Sequence, residues 1–164
     1  MQTASKKVVN GWAMYDWANS VYNLVITTTF FPAYYAAVTS IDNFPKGISL
    51  FGRYFVNTEL KDYVLALGFL IIALLSPILS SIADYKGNKK QFMRFFCYMG
   101  AVSCSLLFFF NKDHVELGLL CFMFAGIGFY GSQVFYNSYL PEISSEEDMD
   151  RISAKGYTMG YIGS

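Results

Sequence analysis

The stretch YVLALGFLIIALLSPILSSI, residues 63–82, contains no charged side chain. A helix on a water-facing surface needs a polar side, which this segment lacks; a helix crossing a hydrocarbon core of about 30 Å needs about 20 mostly apolar residues. Residues 63–82 therefore read as a spanning helix, and 11–38, 92–110 and 115–139 read the same way. A further helix begins at 153 and reaches residue 164 before it is long enough to span. Of the 164 residues, 54% are hydrophobic, 19% aromatic and only 15% charged, which excludes an ordinary soluble helical bundle. The formal net charge is zero and no basic stripe offers a nucleic-acid surface. Asp16 inside the first stretch argues against a cleavable signal core.

These spans divide the chain into a cytoplasmic tail (1–10), a first span (11–38), an external loop (39–62), a second span (63–82) and a cytoplasmic loop (83–91). A third span (92–110), an external loop (111–114), a fourth span (115–139), a cytoplasmic loop (140–152) and the start of a fifth span (153–164) follow. Positive residues resist translocation. Lys6, Lys7, Lys86, Lys89, Lys90, Arg94, Arg151 and Lys155 lie on one side, against Lys46, Arg53, Lys61 and Lys112 on the other. The N-terminus is therefore expected inside, in a multi-pass integral membrane protein.

The first span carries Asp16, Asn19, Ser20, Asn23 and Thr27 at steps of three and four, which form one stripe on a helix. An acid at membrane depth costs about 2.5–3.5 kcal/mol on insertion scales, so it should face a water-filled cavity or a partner. The fourth span carries Tyr130, Gln133, Tyr136 and Asn137, beside Gly126, Gly128 and Gly131, which allow another backbone to come close. Two polar faces suggest a shared aqueous path lined by Asp16, Asn19, Ser20, Asn23, Thr27, Tyr130, Gln133 and Asn137. The plainer alternative is that the amides and hydroxyls join helices by hydrogen bonds. Trp12, Tyr15 and Trp17 fit either interface anchors or cavity walls. Cys97, Cys104 and Cys121 have no metal or disulfide spacing and read as small buried hydrophobes. His114, in the NKDHVE connection, reads as a solvated loop residue, with proton sensing the lesser alternative. No catalytic or metal-ligating set and no cofactor is expected.

The connection SSIADYKGNKKQF places Asp84 three residues ahead of Gly87, followed by Asn88, Lys89 and Lys90. A carboxylate at a helix C-terminus opposes the dipole and calls for a positive partner, and Gly87 suits a left-handed stop. The lysines can also meet lipid phosphates. In PEISSEEDMDRISAKG, Ser144 and Glu147 have the spacing of a capping box, and this run is a candidate for contact with Lys89 or Lys90. Gly156, Gly160 and Ser164 form a small-residue row whose partner is expected outside the sequence.

The loop resembles the signature Gly-x-x-x-Asp-x-x-Gly-Arg-Arg/Lys of the major facilitator superfamily. Asp84, Gly87 and Lys89 match; Ser80 stands in place of the first glycine and Asn88 in place of a base. The resemblance implies a latch role for Asp84, with Gly87, Lys89 and Lys90 in the gating loop. WAMYDWANSVY, SPILSSIADYKGNKK and NSYLPEISSEEDMDRISAKGYTMGYIG together resemble the autophagy-related vacuolar effluxer-like branch and its bacterial relatives. That implies an all-α membrane fold of twelve helices in two halves, of which this chain would carry four and the start of a fifth, with further helices of the same chain as partners. It also implies transport of a small-molecule substrate, with amino acids the cargo of vacuolar members, in the inner (cell) membrane of a bacterium. The fourth span contains no Arg, so the resemblance carries no proton coupling through such a residue, and coupling to a proton or ion stays open.

Three function classes are open to such a chain. They are a secondary active transporter, a structural or partner-binding membrane module without transport, and a membrane enzyme. The last lacks a nucleophile–base pair, a metal cluster or a phosphate loop.

Overall fold

The computed structural model describes residues 2–50 and 52–164, which form six helices joined by short turns and one small hairpin. Helix α1 (Lys6–Tyr22) runs into a π-helical segment (Asn23–Thr28) and, after a bend at Thr29, into α2 (Phe30–Val38). The span expected as one helix over 11–38 therefore starts at Lys6 and is broken midway. The Thr28 hydroxyl donates to the carbonyls of Asn23 (2.9 Å) and Leu24 (3.3 Å), drawing them from regular helix bonding. Four residues on from Thr28, Pro32 has no N–H for the Thr28 carbonyl and its ring crowds it. The widened turn accommodates both disturbances.

Strands β1 (Ile48–Leu50) and β2 (Arg53–Phe55) pair antiparallel with Leu50 opposite Arg53, and Gly52 takes φ 75° in the turn. This hairpin lies where a plain external loop was expected and, among the described residues, is the one departure from an all-α chain. Strands this short are not stable alone. Burial of Ile48 among Phe31, Tyr35, Leu60, Phe110 and Phe122 holds the hairpin onto the helices.

Helix α3 spans Asn57–Lys86, α4 spans Lys89–Leu106 and continues as a 3-10 turn (Leu107–Phe109), α5 spans Val115–Ile143 and α6 spans Met149–Gly163. The second span extends at both ends, the third starts earlier, at Lys89, and the fourth runs on to Ile143, so the cytoplasmic connections shrink. The 83–91 loop reduces to Gly87 and Asn88, and the 140–152 loop to residues 144–148. At about 1.5 Å per residue the 30-residue α3 exceeds the hydrocarbon thickness, so its charged ends reach the headgroup layer. The expected capping box does not form. Ser144 is extended and its hydroxyl donates to the Leu140 carbonyl (2.6 Å), closing α5 beyond Pro141, while α6 starts after Asp148.

Among the described residues three helices, α3, α4 with its terminal turn, and α5, are long and apolar enough to cross a membrane. In α3 only 11% of the most apolar window is buried, against 67% in α5, so α5 is the central helix and α3 a peripheral one. Leu67, Leu70, Leu74 and Ile78 of α3 point outward, a surface that suits lipid and not water. The protein is an integral membrane protein.

Glycines set how closely α5 is approached. Gly128 of α5 lies backbone to backbone on Gly100 of α4, and Gly68 of α3 sits on Met123 and Ile127. Tyr22 of α1 stacks on Phe129 of α5 with ring centroids 4.4 Å apart. Helix α6 packs on α1: Gly156 under the Trp12 ring, Gly160 under Asp16 and Ser20, and Gly163 on the Trp17 backbone. The small-residue row therefore has its partner within the chain. Its third member is Gly163 and not Ser164, because steps of four then three keep to one helix face.

Candidate solute cavity and charged turn

Asp16 lies in a cavity of about 230 Å³ between α1, α5 and α6, lined by Trp12, Gln133, Tyr136, Asn137, Leu140, Ser153 and Tyr157. Trp12 and Tyr136 form its aromatic wall, with rings 4.4 Å apart and nearly parallel, and the Trp12 indole N–H donates to the Tyr136 carbonyl (3.0 Å). Of the two roles open to Trp12, the structure assigns it the cavity wall. Gly156 and Gly160 make the arrangement possible, since a Cβ at Gly156 would lie 2.5 Å from the Trp12 ring and one at Gly160 would lie 2.6 Å from Asp16 Oδ2. The Ser20 hydroxyl packs on the same Gly160 but donates to the Asp16 backbone carbonyl (2.7 Å). Among the described residues Asp16 has no ion-pair partner, and no Lys or Arg lines the cavity.

The remaining stripe residues go elsewhere. Asn19 faces a second groove of about 400 Å³ between α1, α4 and α5, with Tyr15, Tyr22, Cys97, Cys104 and Ser132. The Asn19 amide nitrogen and the Tyr15 and Tyr22 hydroxyls are buried there without a hydrogen-bond partner among the described residues. Asn23 is exposed, and Thr27 has a buried hydroxyl without a partner. Both lie in the π-helical segment, about 10 Å or more along the helix axis from Asp16 and beyond the residues that line its cavity. Tyr130 packs against Phe69 and Phe129, at centroid distances of 4.6 and 4.9 Å, and belongs to the apolar packing around α5. The common path expected for eight residues thus reduces to Asp16, Gln133 and Asn137 in one cavity, with Ser20 at its edge. Leu140, Ser153 and Tyr157 escaped the sequence reading. The four-residue spacing of Gly156 and Gly160 was the signal that a neighbouring helix would lie there.

At the end of the bundle where α3 meets α4, Gly87 takes φ 64° and closes α3 through Asn88 N–H to the Ala83 carbonyl (3.2 Å). The Lys89 ammonium then reaches Asp84 (2.8 Å), Glu142 at the end of α5 (2.6 Å) and the Ser138 carbonyl (3.5 Å). Lys89 is 15% exposed, whereas Asp84 and Glu142 are 60% and 46% exposed. The positive partner required by Asp84 is therefore Lys89, and Glu142 makes the contact anticipated from the acidic run. Lys90 points to solvent. Pairs this exposed contribute about 0–1 kcal/mol, so the cluster fixes the relative position of α3, α4 and α5 more than it stabilises them.

The N-terminal residues are not a free tail. Ala4 N–H donates to the Ile143 carbonyl (3.0 Å), and the Thr3 hydroxyl donates to Asp148 (2.6 Å) while accepting from Ser145 N–H (3.1 Å). Val9, Ile143 and Ile152 pack beneath with Trp12 and Leu140, forming an apolar floor under the Asp16 cavity.

The model of the family described as vacuole effluxer Atg22 like matches residues 4–159. The chain is 40% identical over 158 residues to the uncharacterized MFS-type transporter YxiO of Bacillus subtilis (strain 168), covering 96% of this chain and 35% of that protein. It is 24% identical over 161 residues to autophagy-related protein 22 of Pyricularia oryzae, covering 84% of this chain and 24% of that protein. It is 25% identical over 171 residues to autophagy-related protein 22 of Coccidioides immitis, covering 84% and 28%. The chain thus spans about a third or less of the length of these relatives. No solved structure matches it significantly.

Proposed function

The chain belongs to the vacuole effluxer Atg22-like family, and from that premise we propose that it serves a secondary active transporter that moves a small solute across a membrane by alternating access. The carrying observation is Asp16: a carboxylate on α1, inside the segment read from the sequence as the first span, without an ion-pair partner among the described residues, on the wall of a polar cavity. Water or a solute in that cavity offsets the cost of placing the acid at this depth, and lipid does not. Amino acids are the cargo class we assign, from the resemblance to the vacuolar members of this branch and the small size of the cavity.

In this reading Asp16, Gln133 and Asn137 contact the solute, and the Asp84–Lys89–Glu142 cluster holds the cytoplasmic ends of α3, α4 and α5 in one of the alternating states. The side with the N-terminus and the Gly87 turn faces the cytoplasm of a bacterium, supported by the excess of Lys and Arg on that side.

Single cysteines at Asp16, Asn137 and Leu74, each in a background lacking Cys97, Cys104 and Cys121, test the cavity. A membrane-impermeant thiol reagent should label positions 16 and 137 and spare Leu74 on the lipid-facing side of α3. In proteoliposomes, Asp16→Asn should reduce solute flux. Labelling at Leu74 with protection at 16 and 137, or full flux through Asp16→Asn, would refute the proposal.

A further inference from the structure

We infer that the Asp16 cavity is built for the protonated amino group of its ligand, a primary ammonium seated on the carboxylate and walled by Trp12, Tyr136 and Tyr157. The inference rests on the reading of this cavity as the solute site. It adds which end of the solute this part of the protein recognises.

Two donors near Asp16 are committed elsewhere, and the Gln133 amide is within hydrogen-bond reach of the carboxylate. Ser20 gives its hydroxyl hydrogen to the Asp16 backbone carbonyl, and the Trp12 N–H goes to the Tyr136 carbonyl. Lys155, the base of α6 on the cytoplasmic side of Gly156, bonds to the Asn10 side chain instead. The Tyr136 hydroxyl is buried without a partner among the described residues. The lining therefore combines one carboxylate, the amides of Gln133 and Asn137 and three aromatic side chains, with no cationic side chain. An ammonium supplies three donors and a positive charge, which suits a carboxylate, amide and phenol oxygens, and the faces of indole and phenol rings. An anionic head would meet Asp16 with nothing to offset the repulsion. The pocket of about 230 Å³ has room for a small head group.

Three probes with one alkyl chain and different heads separate the alternatives: n-butylammonium, butan-1-ol and butyrate. The chain holds two tryptophans, so detergent-solubilised protein with Trp17→Phe leaves Trp12, on the cavity wall, as the reporter. A saturable change in Trp12 emission is expected with n-butylammonium alone, weakened about tenfold or more by Asp16→Asn. Gly160→Ala, which places a methyl where the carboxylate now rests, should weaken it as well and serves if Asp16→Asn does not fold. The inference is overturned if n-butylammonium gives no saturable change, if butan-1-ol or butyrate matches it, or if the folded variants bind it undiminished. Failure of the transporter reading looks different. The ammonium preference then persists in detergent while no solute moves in proteoliposomes.

Discussion

Gly128→Ala should loosen the crossing of α4 and α5, and its cost can be worked from three contacts. A Cβ at position 128 lies 2.5 Å from the Gly100 nitrogen, 2.6 Å from the Gly100 Cα and 2.8 Å from the Phe96 carbonyl oxygen. All three are backbone atoms, so no change of rotamer relieves the overlap. Ordinary contacts of this kind lie at about 3.5 Å or more, so the helices must part locally by roughly 1 Å. Overpacking costs about 1–3 kcal/mol, and a gap of this size also removes a quarter to a half of the dispersion energy of the flanking contacts, which places the site near 3 kcal/mol. The better helix propensity of Ala returns about 1 kcal/mol, leaving about 2 kcal/mol of net destabilisation. Gly100→Ala at the same crossing is the informative control. Its Cβ meets Gly128 and Phe129 at 3.5–3.6 Å, an ordinary contact, so it should stabilise by about 0.5–1 kcal/mol through the better helix propensity of Ala. Gly11→Ala meets nothing within 4 Å and should stabilise by about 0.5–1 kcal/mol. Reversible unfolding in mixed detergent micelles, followed by far-ultraviolet circular dichroism, measures all three. The reasoning fails if Gly128→Ala unfolds with the parent or if Gly100→Ala costs as much.

Gly160→Ala sets a methyl against Asp16 Oδ2, the tip of a rotatable side chain, so the carboxylate turns at an off-rotamer cost of about 0.5–1.5 kcal/mol. In the same micelle assay it should be milder than Gly128→Ala, while solute flux in proteoliposomes falls; unchanged flux would separate Asp16 from transport. Lys89→Gln removes both ion pairs of the charged turn and Asp84→Asn removes one, and each should shift stability by no more than about 1 kcal/mol because the acidic partners are exposed. Solute exchange between the two sides should slow in both, and exchange at the parent rate would reduce the cluster to a solvated turn.

Hydrophobic run length pointed to α3, α4 and α5, because no soluble packing tolerates residues 63–82 without a polar face. The run expected over 11–38, by contrast, is broken and is not among the described helices long and apolar enough to span. The cost of an intramembrane acid singled out Asp16, and the unfavourable placement of Asp84 at a helix C-terminus called for a positive partner. Gly87 at φ 64° and the glycine row of α6 follow from properties of single residues and their spacing. Tertiary structure divided the polar stripe of α1. At about 100° per residue, Asn19 points roughly 60° to one side of Asp16 and Ser20 roughly 40° to the other. With α5 and α6 both packed on α1, that spread takes Asn19 to the groove beside α4 and Ser20 to Gly160. Asn23 and Thr27 lie about 10 Å or more further along the axis, in the π-helical turn, beyond the cavity. The hairpin, the Thr3–Asp148 contact and the Lys89–Glu142 pair join segments with no shared period. Periodicity determines which side chains share one face of a helix. Which neighbour covers that face depends on how all the helices pack at once, and that assigned Asp16 a cavity and Tyr130 a place in the apolar core.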